Sequence, residues 1–346
     1  MYIQGHDYFE GVVVQDIERG RELMIGQVIW QTDDSTRTWF WMNDSKYKRP
    51  SVMGLGLVAS MRTENDTDLM DSTTVTRYGI SWYKNRALIN QDTDSKIIVR
   101  LPGDRYRLRA VLTMAYLVSD RLLLANSFVQ FSPETLWDIS RTFPYHTENK
   151  STRPVDAFVS PSPMVYDFEI DNKWHQVSFY NPDMEKGRKI AINISGEPVD
   201  GALGLTEDKS YFEYDFWNDN FVEKLRGTMC LEQELRLGEA RMMSVRECLD
   251  RPQVLSTDRH IMQGYIDMVE KSVWNDKEMV LSGVSSLVEE DPYSIVIALN
   301  GYMIDNVSSS DSECTYEYLV SNNDLVKITL LSDQNRDSRW EFKFRK

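Results

Sequence analysis

The chain has 346 residues, 41% of them hydrophobic, and a formal charge of −15. That length exceeds one typical domain and is read as two or three. The negative balance excludes the cationic face that phosphate binding needs, and with it nucleic acid and an anionic membrane surface. Neutral polyols such as sugars stay open as partners, with 9 Trp and 17 Tyr as faces to stack on them.

Cys230, Cys248 and Cys314 are widely spaced and odd in number, so neither a disulfide framework nor a CxxC metal motif is present. His6, His146, His175 and His260 have neither HxH nor HExxH spacing. No metal site and no cofactor are expected. No apolar run approaches the roughly 20 residues of a membrane span. The start, "MYIQGHDYFEG", lacks the basic segment and apolar core of a signal peptide.

Residues 1–60 are β-rich: "FEGVVVQDI", "LMIGQVIWQ" and "RTWFWM" are separated by "ERGRE" and "TDDST". An antiparallel meander and barrel strands with abbreviated helices both fit. Trp39 and Trp41 alternate along a strand and are read as core. The apolar run "VMGLGLVAS" then breaks into "MRTENDTDLMD", where Arg62 is set among Glu64, Asp66, Asp68 and Asp71. Such a stretch is a solvated loop, or the acidic end of a strand at a catalytic rim.

Residues 104–120, "DRYRLRAVLTMAYLVSD", place Leu108, Val111, Leu112 and Ala115 on one helical face after the breaker pair Pro102–Gly103. "RLLLANS" has the size of a buried parallel strand. In "SPETLWDISRTF", Ser132 suits an N-cap, Pro133 the first turn, and Glu134 the helix dipole. Helix, strand, helix with short connections is the grammar of a β/α barrel or a doubly wound sheet.

After the Pro/Ser-rich "STRPVDAFVSPSPMV", read as a domain boundary, the period falls to two. Ile190, Ile192 and Ile194 alternate, as do Trp340, Phe342 and Phe344 with Glu341, Lys343 and Arg345. Turn signals "DNK", "NPD", "EKG" and "SNND" separate such runs, and a β-sandwich, or two in series, is expected. A short helix is expected at 259–274, with His260 structural.

The order "MRTENDTD", "RALINQDTDSKIIVR", amphipathic helix, "LLLANSFVQFSPETL", sandwich resembles the second half of a melibiase-type α-galactosidase barrel with its C-terminal domain. The likeness covers most of residues 52–270 and extends to "RPVDAF", "YDFWND", "RMMSVRE" and "PQVLSTDRHIMQG". It implies a clan of retaining glycosidases acting on α-galactosides and α-N-acetylgalactosaminides. Arg62 then matches the arginine of an Arg-x-x-x-Asp motif after the sixth barrel strand, and Asp66 its acid/base. "NQDTD", carrying Asp92 and Asp94, is similar to the Asn-Asp-Pro-Asp turn after strand seven, without its proline. "ANS" is similar to the motif after strand eight, without its aspartate. The nucleophile of the clan stands in a Lys-x-Asp context on strand four; the nearest candidate is Asp7, which no lysine precedes. Asp92, Asp94, Arg62 and Trp82 are the implied sugar contacts.

Retaining hydrolysis needs two carboxyl groups about 5–5.5 Å apart, one ionised and one protonated. Neighbouring carboxylates and desolvation raise the pKa of the protonated one. A full barrel needs about 250 residues, more than precede the sandwich. The expected architecture is therefore a partial (β/α) barrel of TIM type over 1–160, with 1–60 a separate β segment in one version. A β-sandwich over 161–252 and a second β-rich region over 253–346 follow. On this reading the chain is a fragment of a longer gene, with an extracytoplasmic parent, or a degenerate relative; in either case weak or no hydrolysis alone is expected, and exposed strand edges favour a homo-oligomer. The alternative is a non-catalytic carbohydrate-binding or structural β-sandwich protein.

Overall fold

The computed structural model describes residues 60–62, 90–92, 105–118, 128–142, 152–160, 163–183, 185–258, 265–319 and 324–346. The chain forms two compact units. The first comprises Met1–Ile139, Tyr145–Asp208 and Gly227–Met243; the second comprises Ser140–Pro144, Lys209–Arg226 and Ser244–Lys346.

In the first unit, strands β1 (Ser60–Arg62) and β2 (Asn90–Asp92) pair in parallel. Helix α1 (Arg105–Val118) is exposed at Arg105 and Tyr106, but residues 110–114, Tyr116 and Leu117 are all buried, so its second half is covered on every side rather than along the one face that the apolar spacing suggests. The Thr152 hydroxyl donates to the Leu117 carbonyl, one of the acceptors a helix end leaves without an intrahelical partner. Helix α2 (Pro133–Ser140) starts as the sequence prescribes: the Thr135 N–H donates to Ser132 Oγ at 3.2 Å, and Glu134 lies in the first turn.

Strand β3 (Arg153–Pro154) pairs with β4 (Val165–Asp171), and β4 with β5 (Trp174–Tyr180), all antiparallel. The Pro/Ser-rich stretch between β3 and β4 folds around Asp156, whose buried carboxylate accepts the backbone N–H groups of Met164 and Val165. The "DNK" signal is an Asx turn, in which Lys173 N–H donates to Asp171 Oδ1 at 2.8 Å. Every residue of β5 is buried, so both faces of that strand are covered. Strand β6 (Arg188–Asn193) is followed in the chain by β7 (Ser210–Asp215) and β8 (Asn220–Arg226), which belong to the second unit. Strand β9 (Cys230–Leu235) then returns as the antiparallel partner of β6. Ile190, Ile192, Leu231 and Leu235 point inward on this pair and their neighbours outward, the period of two that the sequence announces. The chain passes between the units inside β10 (Ala240–Glu247).

The second unit holds the β7–β8 hairpin and a β-sandwich of two four-stranded antiparallel sheets. Its strands are β11 (Gln253–Thr257), β12 (Glu270–Asn275), β13 (Val280–Leu287), β14 (Tyr293–Ala298), β15 (Met303–Ser309), β16 (Glu313–Tyr318), β17 (Leu325–Leu331) and β18 (Arg336–Arg345). One sheet has the order β11-β14-β17-β16 and the other β12-β13-β18-β15. Tyr293, Ile295, Ile297, Val326, Ile328 and Leu330 from the first interlock with Leu281, Trp340, Phe342 and Phe344 from the second. Each such side chain contributes about 1.5–3 kcal/mol of transfer free energy. On the outer face of the first sheet, Phe212 packs with Leu255, Ala298 and Leu325 as a smaller core.

One expectation is corrected. Residues 270–275, the end of the expected helix at 259–274, form strand β12. Ile266 and Met268 pack against the sandwich core, and an alternating Val273/Trp274 pair serves a strand against β13 as well as it would a helix. Apolar spacing over so short a segment does not separate the two. The described architecture is thus mostly antiparallel sheet with a β-sandwich, and two helices among the described residues.

Candidate functional site

The sequence-derived site hangs on strand ends, and two of them are described. Strands β1 and β2 pair in register, Ser60 with Asn90, Met61 with Gln91 and Arg62 with Asp92. Parallel neighbours need a connection of a dozen or more residues, and the two strands stand far enough apart in the chain for one. Arg62 and Asp92 therefore end adjacent parallel strands at one register position. In the chain Asp66 lies four residues past the end of β1, and Asp94 two past the end of β2. The carboxyl ends of parallel strands are where α/β proteins gather their chemistry. Asp66, Asp94, Asp7 and Trp82 themselves lie outside the described residues.

Ionisable side chains buried elsewhere in the first unit are tied up in structure. Asp138 of α2 is fully buried and accepts four hydrogen bonds, from Nε and Nη2 of both Arg105 and Arg109 of α1, at 2.7–3.0 Å. The arginines stand four residues apart on one helix face, so a single carboxylate bridges both. Burial works to raise the Asp138 pKa, yet the Arg105 and Arg109 hydrogen bonds outweigh it and leave the group below the ordinary carboxylate range. It is an ionised clamp, unsuited to donate a proton.

A second cluster lies on β3–β5. Arg153 Nη2 contacts Asp167 Oδ2 at 3.0 Å, and Asp167 Oδ1 meets His175 Nδ1 at 2.9 Å. Arg153 also donates to the carbonyls of Ala202 and Leu203. Burial lowers the affinity of His175 for a proton, but the Asp167 charge and hydrogen bond prevail and raise its pKa. The arrangement holds the 202–203 turn to the sheet. Asp156 differs: burial raises its pKa against the pull of the backbone donors. Sequence reasoning passed over these groups, since the partners of His175 and Asp138 are 8 and 29–33 residues away with no motif to join them.

Among the described residues no group of three or more His, Cys, Asp or Glu converges to hold a metal ion.

No family model matches the sequence, and no curated protein does. Solved structures that it resembles include glycoside hydrolases. One is an α-galactosidase from Saccharomyces cerevisiae with raffinose, at 11% identity and a TM-score of 0.42, over 56% of this chain and 60% of that one. Another is α-galactosidase I from Mortierella vinacea, at 11% identity and a TM-score of 0.46, over 57% and 55%. A third is the Arthrobacter globiformis T6 isomalto-dextranase complexed with panose, at 11% identity and a TM-score of 0.47, over 97% and 68%. The match spans less than two thirds of the length of either α-galactosidase.

Proposed function

We propose that the chain is a glycoside hydrolase-like protein of the retaining type, acting on terminal α-linked sugars through a partial β/α barrel in residues 1–160. The observation that carries this reading is the parallel register of Arg62 with Asp92. The two acidic stretches singled out by the family resemblance follow neighbouring strand ends, as a barrel rim requires. Asp66 is the acid/base, Asp7 the candidate nucleophile, and Arg62, Asp92, Asp94 and Trp82 bind the sugar. The role requires that Asp66 hold its proton until the leaving oxygen takes it, which a neighbouring carboxylate favours in general.

The test is hydrolysis of aryl α-galactosides and α-N-acetylgalactosaminides by the chain and by Asp66→Asn, with calorimetry of galactose binding to both. The reading expects activity that falls at least about a hundredfold in Asp66→Asn, the usual worth of a general acid, or, if turnover is undetectable, galactose binding that the substitution changes. No turnover by either form together with identical galactose binding would overturn it. The second reading is a carbohydrate-binding or structural sandwich protein, favoured by the predominance of antiparallel sheet among the described residues.

A further inference from the structure

We propose that Tyr316 and Tyr318, on edge strand β16, form a binding site for neutral carbohydrate chains. Both residues lie on the β16 face that looks into the sandwich, as their register shows: Tyr316 pairs with Ile328 and Tyr318 with Val326, both core residues. Core cover alone would be served by smaller aliphatic side chains here. Instead two large rings stand at the open edge, 46% and 44% exposed. They are 6.0 Å apart with planes at 79°. The result is an angled aromatic corner that offers a ring face and a ring edge together.

Three features select the ligand. Neither phenol hydroxyl makes a hydrogen bond within the described chain, so both are free to donate to and accept from sugar hydroxyls. The apolar C–H face of a pyranose matches an uncovered ring face, with the amphipathic balance that places tyrosine at binding surfaces. The chain carries a net charge of −15, which disfavours polyanionic ligands and leaves neutral glycans; Glu313 and Glu317 stand on the opposite face of β16, Glu317 across from Lys327, and do not crowd the two rings. Because β16 is the edge strand of its sheet among the described residues, an extended chain can reach the corner from the side.

The site stands apart from the catalytic reading, and one experiment separates the two. Native affinity electrophoresis of the full chain through gels containing galactomannan, arabinogalactan or dextran should show retardation by at least one of them. Retardation should persist in Asp66→Asn, weaken in Tyr316→Phe/Tyr318→Phe, which keeps the packing and loses the hydroxyls, and vanish in Tyr316→Ala/Tyr318→Ala. Circular dichroism of each variant checks that the sandwich is intact. No retardation in any of the three gels overturns the proposal, as does retardation that the alanine pair leaves unchanged. Loss in Asp66→Asn with retention in the alanine pair overturns it too, by moving the binding to the strand ends.

Discussion

Gly283 of β13 stands directly across from Trp340 of β18, and a Cβ built at 283 would come within 2.4 Å of the indole Cζ2. The indole occupies the space that any side chain would need. It stacks on Phe342 at 4.5 Å and donates from Nε1 to Ser285 Oγ at 3.1 Å. With the ring held on two sides, it cannot retreat cheaply. Gly283→Ala is expected to destabilise the sandwich by about 1–3 kcal/mol through overpacking. Urea denaturation followed by tryptophan fluorescence checks it. Gly301→Ala is the comparison: it meets nothing within 4 Å, and its cost, about 1 kcal/mol, comes from a φ of +86°.

The Asp138 clamp predicts an acid-sensitive helix pair. Asp138→Asn leaves two guanidinium groups around a neutral amide and should cost about 1–3 kcal/mol, less than breaking a fully buried pair because the Arg105 side chain is 47% exposed and stays solvated. The sign with pH follows from a depressed folded-state pKa. The clamp contributes fully above the unfolded carboxylate value near 4, and the contribution is lost as pH falls through the still lower folded value. The gap between wild type and Asp138→Asn should be constant from pH 5 to 7 and close on acidification. Equal pH dependence of the two proteins would show that Asp138 is not the titrating group.

His175 works in the opposite direction. Its folded pKa is raised, so its contribution is complete below the unfolded value of about 6.5 and disappears as pH rises through the folded value. Wild type should lose stability relative to His175→Gln between pH 6 and 9. Thermal unfolding across that range measures the difference. A gap that stays flat with pH would mean that His175 does not change protonation state over this range.

What the sequence discloses depends on the range of the interaction. Local rules carry far: Ser132 caps α2, Ile190 and Ile192 point inward along β6, and Trp340, Phe342 and Phe344 alternate into the core. Each follows from spacing within a turn or along a strand. The segment 265–275 escapes such rules, because its apolar residues answer to β13 and the sandwich core. The same holds for Asp138 and His175, whose partners are set by tertiary packing. For the candidate site, the family resemblance implies that Arg62 and Asp92 stand at strand ends; their shared register is a fact of strand pairing that no local signal contains.

The joint between helix α1 and strand β5 gives the last prediction. Tyr116 is fully buried, and its hydroxyl donates to Gln176 Oε1 at 2.8 Å. Tyr116→Phe removes the donor while keeping the ring, so the cost should be about 1 kcal/mol, that of one buried hydrogen bond. A double-mutant cycle with Gln176→Leu isolates the pairwise part, since removing both polar groups at once should cost less than the sum. Because β5 is buried along its whole length, residues 152–346 expressed without α1 should bind the dye ANS and lose the sharp unfolding transition of the full chain. A cooperative, ANS-silent fragment would show instead that the covered faces of β5 owe nothing essential to the helix.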